Sequence, residues 1–292
     1  MHLSVSPSRW RCVLLSAVAM WLAVIPAIGA QPTSSMPPDK SRFTLLDPTP
    51  RELMREMSTD RPDTTESPYT VDAGHVQLEL SFFDYADDEE TTTWTIAPLN
   101  LKLGLLNNTD LQFVFDPYTF TDVDDAGAGE GAGQDTEGIG NIALRLKQNL
   151  IGNDEGSIAF AVMPFVTFPS GDDAFHDDRI EGGLIFPLAL ELPAEFSLGL
   201  MAEVDWVRSD DGDGYATEFI HTAVLAHDLV GDLAGFIEYV GVSSSEATYT
   251  AGLVTGLTYQ ATDDWALDAG VRIGLSDASE DAGVFIGTSI RY

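Results

Sequence analysis

Residues 262–292, TDDWALDAGVRIGLSDASEDAGVFIGTSIRY, decide the fold. Two alternating segments flank a polar, acidic turn. In the first, Trp265, Leu267, Ala269, Val271 and Ile273 share one parity, and Ala266, Asp268, Gly270, Arg272 and Gly274 share the other. In the second, Ala282, Val284, Ile286, Thr288, Ile290 and Tyr292 alternate with Gly283, Phe285, Gly287, Ser289 and Arg291. A period of two places each set on one face of a β-strand. The second face is glycine punctuated by charge, with no apolar filling except Phe285. The inside of a water-soluble sandwich would be filled. An apolar outside and a polar inside instead match a β-barrel in lipid.

Upstream, the same pattern repeats from His75 onward. Twelve alternating segments fall at roughly 75–85, 92–105, 109–119, 138–150, 156–168, 180–192, 195–207, 217–229, 233–243, 248–260, 264–275 and 281–292. Each is long for a globular strand and close to the ~9–11 residues that cross a bilayer when tilted. Connections alternate too. Those at Asn107–Thr109, Gly152–Glu155, Pro193–Ala194, Gly231–Asp232 and Ala261–Asp263 are short, whereas Thr121–Glu137, Pro169–Arg179 and Ser209–Ala216 are long. Short periplasmic turns and long extracellular loops are the habit of outer-membrane barrels. An even strand count then returns Tyr292 to the periplasmic side, where a terminal aromatic is expected to act as the assembly signal read by the barrel assembly machinery.

Parity assigns a set of charged residues to the lumen: Glu79, Lys102, Asp116, Arg145, Lys147, Glu181, Glu203, Asp205, Glu238, Asp268, Arg272 and Arg291. Acids and bases are mixed, so cross-strand pairing inside the barrel is the first expectation for each of them. A water-filled pore is the functional alternative, with inward glycines leaving room. Aromatics gather at strand ends, with Tyr85, Trp94, Tyr118, Phe168 and Trp206 toward the loops and Phe196, Tyr259, Trp265 and Tyr292 toward the turns, as in two interfacial girdles. Two stretches resist assignment. Trp94–Pro98 flips relative to Leu99–Leu103, as a bulge would cause, and Phe219–Asp228 carries His221 and His227 on the parity of Phe219 and Leu225.

The first 72 residues read differently. Residues 1–30 have the plan of a secretory signal peptide, with Arg9 and Arg11, an apolar run over Val13–Ile25 and small residues at Ala27–Ala30. That run is shorter than the ~20 residues a spanning helix needs. The one cysteine, Cys12, lies inside this signal and too early for lipid attachment. Residues 31–72 form a periplasmic extension. Within it Thr49-Pro50-Arg51-Glu52 has the form of a capping box with Pro at the first helical position, which predicts a short helix over 50–58. The turn-rich stretch Thr59–Thr70 is expected either to plug the barrel or to hang as a loose tail.

Among 292 residues, 47 acids against 14 bases give a formal net charge of -33, which excludes nucleic acid as a partner because nothing would neutralise phosphates. The expected partners are outer-membrane lipid, the assembly machinery and a small-molecule solute. Acids crowd the loops at Asp84–Glu90, Thr121–Glu137 and Pro169–Glu181. Such loops could take Ca²⁺. A solvated outer surface is the preferred reading, because Asp210-Asp211-Gly212-Asp213-Gly214 lacks the distal bidentate Glu at the required spacing. Neither a cofactor motif nor a catalytic one is present: there is no G-x-S-x-G, H-E-x-x-H or C-x-x-C. His176-Asp177-Asp178 is the one loop cluster able to build a general base at the rim, and His75, His221 and His227 have no Ser partner in the sequence.

The stretch Asp60-Arg61-Pro62-Asp63-Thr64-Thr65-Glu66-Ser67-Pro68-Tyr69-Thr70-Val71, with Gly74 and Gln77-Leu78-Glu79 after it, resembles the bacterial outer-membrane transporter family of the MetA pathway of phenol degradation. The likeness continues through Gly138-Ile139-Gly140-Asn141, Arg145–Gln148 and Pro164–Gly171. It implies an outer-membrane barrel that passes hydrophobic or aromatic small molecules, with no catalytic residues to carry over. The expectation is thus an all-β, twelve-stranded antiparallel transmembrane barrel over 73–292, preceded by the extension. Its function would be a passive channel, with a closed structural or surface-interaction barrel as the alternative and a rim hydrolase a distant third.

Overall fold

The computed structural model describes residues 39–88, 91–123, 135–172, 179–209 and 214–292. From Val76 the chain is all antiparallel strand: β1 (Val76–Asp88), β2 (Thr91–Ile96), β3 (Leu99–Leu106), β4 (Thr109–Phe115), β5 (Tyr118–Val123), β6 (Thr136–Gly138), β7 (Ile142–Ile151), β8 (Ile158–Phe168), β9 (Glu181–Leu192), β10 (Phe196–Arg208), β11 (Tyr215–Val230), β12 (Leu233–Ser244), β13 (Thr250–Thr262), β14 (Trp265–Gly274) and β15 (Ala282–Arg291). The last strand closes on the first, with Gln77 opposite Arg291 and Asp87 opposite Ala282. Closure removes every edge from the lipid, where an unpaired amide could find no water.

Fifteen segments make twelve staves. β1 pairs with β3 along Val76–Leu80 and with β2 along Phe83–Asp88, so β2 and β3 are one stave. By the same logic β4 continues into β5 and β7 continues β6, since β3 pairs with β4, β2 with β5, β4 with β7 and β5 with β6. The breaks have local causes. At the first, Pro98 has no N–H to give a ladder, Ala97 takes a left-handed φ of 55°, and the facing strand slips between Ser81 and Phe83. This is the flip foreseen between Trp94 and Leu99. The second break falls at Asp116–Pro117.

Outside and inside separate as the last two strands announce. On β14 and β15, Trp265, Val271, Ile273, Val284 and Ile286 are exposed to the surroundings, whereas Ala266, Asp268, Phe285, Ser289 and Arg291 are buried. β11 now has faces. Ala216, Thr222 and Val224 are buried, so the parity of Phe219, His221 and Leu225 points outward. His227 packs on Phe196, 4.2 Å between ring centroids, and His221 stacks on Phe219 at 5.5 Å. At one rim, here the turn rim, the strands are joined by the short connections; the other is the loop rim.

The extension departs from expectation. In place of a helix over 50–58 there is a single 3-10 turn, Arg51–Leu53, and Met54 is already extended (φ -65°, ψ 149°). Thr49 does not cap it, and its N–H goes to Ala73 O at 2.9 Å. The helix is lost because its donors have better partners, both further along the extension and on the barrel. The Arg55 N–H is given to Asp72 Oδ2 at 2.9 Å, and the Arg55 guanidinium reaches Asn107 Oδ1, Asn107 O and Thr70 O. A short helix in water is marginal to begin with.

Candidate functional site

The inward face is polar, and residues 55–72 lie against it. This segment has almost no secondary structure of its own, so its main-chain donors must be satisfied elsewhere. Wall carboxylates supply the acceptors. The N–H of Asp60 is donated to Glu79 on β1, those of Thr64 and Thr65 to Glu238 on β12 at 2.8 Å each, and that of Val71 to Asp110 on β4 at 3.0 Å. Wall amides return the favour, with Gln77 Nε2 donating to Ser58 O and Asn149 Nδ2 to Pro68 O. At Gly104 on β3 any Cβ would strike the Asp72 carbonyl, so glycine is what lets the segment's backbone lie on the wall there.

Charge then ties the segment to strands on several sides. Asp60 sits between two fully buried lysines: Lys147 Nζ is 2.7 Å from Oδ1, and Lys102 bridges Asp60 to Glu79. Arg61 forks onto Asp268 of β14 (Nη2–Oδ1 2.6 Å, Nε–Oδ2 3.2 Å) and donates from Nη1 to Ser81 Oγ at 2.6 Å. Such bidentate pairing is the strong form of a charge-assisted bond. Glu66 pairs with Arg145 on β7, and Thr65 Oγ1 meets Thr222 Oγ1 on β11 at 2.5 Å. Buried ions left alone would be costly, and here each of these has a counter-ion.

Of the residues expected at the lumen, Glu79, Lys102, Arg145, Lys147, Glu238 and Asp268 meet the 55–72 segment through their side chains. Arg291 does so more loosely, giving one N–H to Arg55 O while its Nε holds Asp264 at 2.8 Å. Arg272 belongs elsewhere. It bridges Asp84 (2.5 Å) and Glu280 (2.6 Å), lying 5.6 Å from the Phe285 ring and nearer the loops. Asp116 lies at the break between β4 and β5, its carbonyl accepting from Gly140 N. Glu203 and Asp205 stand on β10, on the loop side of Met201, whose Sδ accepts from the Glu66 N–H at 3.4 Å. Tyr292 is at the turn rim, exchanging main-chain bonds with Val76, its side chain exposed. Sequence reasoning singled out none of Asp60, Arg61 and Glu66 as site residues, although they are the segment's own charges, nor Gln77, Asp110 and Gln112. A parity count that included amides as well as charges would have found the wall residues.

Two apolar patches also face inward. One joins Met163, Ile185 and Met201 with Phe165 and Ile220; the other joins Val224, Phe236, Val254 and Phe285. On the outward face, near the loop end of β8–β10, a cavity of about 480 Å³ is lined by Ile180, Gly182, Leu184, Trp206 and Tyr215, together with Gly183 and Phe165. Among the described residues no group of three His, Cys, Asp or Glu side chains is placed to hold a metal ion. The stretches Asp210–Asp213 and His176–Asp178, and most of the acidic loop 121–137, lie outside the described residues.

A crystal structure of an outer membrane channel from Pseudomonas putida F1 is similar with a TM-score of 0.58 and 13% identity, over 80% of this chain and 100% of that one. The NanC porin is similar with a TM-score of 0.50 and 10% identity, over 74% of this chain and 98% of its own. At such identities the likeness is one of fold. No curated protein matches the chain. The sequence family described as "Putative MetA-pathway of phenol degradation" matches residues 59–292. The chain therefore belongs to that family, as a twelve-stranded β-barrel of the outer membrane.

Proposed function

We propose that this barrel is a channel for small apolar or aromatic solutes, crossed by passive diffusion, and that residues 39–72 act as a plug that narrows its turn-side half. The inward apolar patches, from Phe165 to Met201 and from Val224 to Phe285, carry the reading, because they give an otherwise polar lumen a non-polar wall that an apolar solute can follow. Residues 1–30 are proposed to be removed on export.

The test is liposome swelling and planar-bilayer conductance with the mature chain and with a variant lacking residues 31–72. The expected result is slow permeation of small aromatic solutes through the full chain and a large rise in conductance on deletion. If neither protein is permeable to any solute, the channel reading fails and a closed structural or surface-interaction barrel takes its place.

A further inference from the structure

The inner wall is not electrically uniform. On the turn side every base named above is matched: Lys102 and Lys147 by Asp60 and Glu79, Arg61 by Asp268, Arg291 by Asp264. Beyond the 55–72 segment, toward the loops, four carboxylates share the inward parity of three adjacent strands: Glu181 on β9, Glu203 and Asp205 on β10, and Glu218 on β11. Asp205 is opposite Gly183 on one side and Glu218 on the other. Glu181 is engaged, its Oε1 accepting from the Arg208 main-chain N–H at 2.7 Å. Asp205 is different. It is only 8% exposed, and its Oδ1 has no hydrogen-bond partner. A Cβ at Gly183 would collide with that oxygen, so Oδ1 lies over Gly183 of β9, the strand that carries Glu181.

A buried, unpartnered carboxylate oxygen is expensive unless something visits it. The inward positions of β7–β11 offer this half one base among the described residues, Arg145; its guanidinium is paired with Glu66, and its single charge also acts on Glu203 and Asp205, so the carboxylates outnumber it. Acids in a low-dielectric wall focus the field on whatever passes, and carboxylate-lined pores favour cations. Among the described residues no three ligating side chains converge, which favours a hydrated monovalent cation or an organic ammonium group over a tightly ligated divalent ion.

We propose that the Glu181–Glu203–Asp205–Glu218 arc makes the channel cation-selective, with Asp205 and Glu203 forming a weak station for monovalent inorganic or organic ammonium cations. This rests on the channel reading above. The experiment is the reversal potential of the purified full chain in a planar bilayer under a KCl gradient, repeated with the Glu203→Gln/Asp205→Asn double variant. Potassium should permeate several-fold better than chloride, and the double variant should bring that ratio severalfold closer to unity. The single variant Glu218→Gln, at a less buried position, should move it the same way, which keeps the test alive if the double variant fails to fold. Glu155→Gln, exposed in a turn, should leave it unchanged. A conducting wild type that prefers chloride overturns the proposal, as does a ratio indifferent to all wall variants, which would assign selectivity to the acidic loops. Absence of any conductance removes the channel reading together with the proposal.

Discussion

Lys102 shows how much of the interior rests on single side chains. It is 2% exposed and touches both Asp60 and Glu79, whose carboxylates have few other positive neighbours. Lys102→Met would keep most of the stem's packing and leave two buried anions facing each other across the vacated ammonium. Breaking one partner of a buried ionic group costs about 3–5 kcal/mol. The variant is therefore expected to unfold at clearly lower denaturant concentration in detergent micelles, followed by the heat-modifiable shift on gels. An unchanged midpoint would mean that Lys147 alone can neutralise Asp60. That Lys102 faces inward is legible from the alternation of Leu99, Leu101 and Leu103 with Asn100 and Lys102. Its main partner is not, because Asp60 is 42 positions upstream in a stretch without periodicity.

At the scale of elements, the extension is the part most changed by tertiary contact. Its turn-rim end is pinned by Lys40 and Arg55 on Asp154 and by Arg51 on Asp264, a carboxylate that Arg291 of β15 also holds. Burial raises the carboxyl of Asp154, but hydrogen bonds from Lys40 and Asn107 and the charge of Arg55 outweigh it and hold the pKa below the ordinary Asp value. For Asp264 burial is likewise outweighed, first by the hydrogen bond and charge of Arg291 and then by Arg51. A depressed folded pKa means stability that is complete above the unfolded value, about 3.9, and lost as pH falls through the lower folded value. Hydrogen-exchange protection factors across 39–58 are therefore expected to stay constant from neutral pH to about 5 and to fall only below about 4. Release of the segment already near neutrality would show that Asp154 and Asp264 are not its anchors. Element breaks were partly legible as well. Pro98 marks the split between β2 and β3, whereas the split between β6 and β7 at Ile139–Asn141 carries no proline and was missed.

For the whole molecule, closure between β1 and β15 is the event that makes a barrel, and Tyr292 stands beside it. Its main-chain N–H and carbonyl both bond Val76, and His75 Nδ1 is 3.1 Å from the carbonyl. The ring itself is 67% exposed. We propose that the ring serves assembly and the backbone serves closure. Tyr292→Ala, which keeps the backbone, is expected to lower outer-membrane levels while changing the unfolding free energy of the folded barrel by no more than about 0.5 kcal/mol. Normal levels of this variant in membrane fractions would refute the assembly role.

The sequence by itself determined the architecture: strand number, alternation of faces, the inverted polarity and the alternation of short and long connections. These are local properties, since a period of two and the spacing of turns are written within ten or so residues. Tertiary structure decided what fills the barrel. Asp60 finds Lys102 and Lys147, Arg61 finds Asp268 some 207 positions away, and Asp205 is left without a partner on Oδ1. Which charges meet depends on where the closed wall brings distant strands and on where a structureless segment can satisfy its own amides. No pattern along the chain encodes that choice, because only closure creates the interior in which it is made.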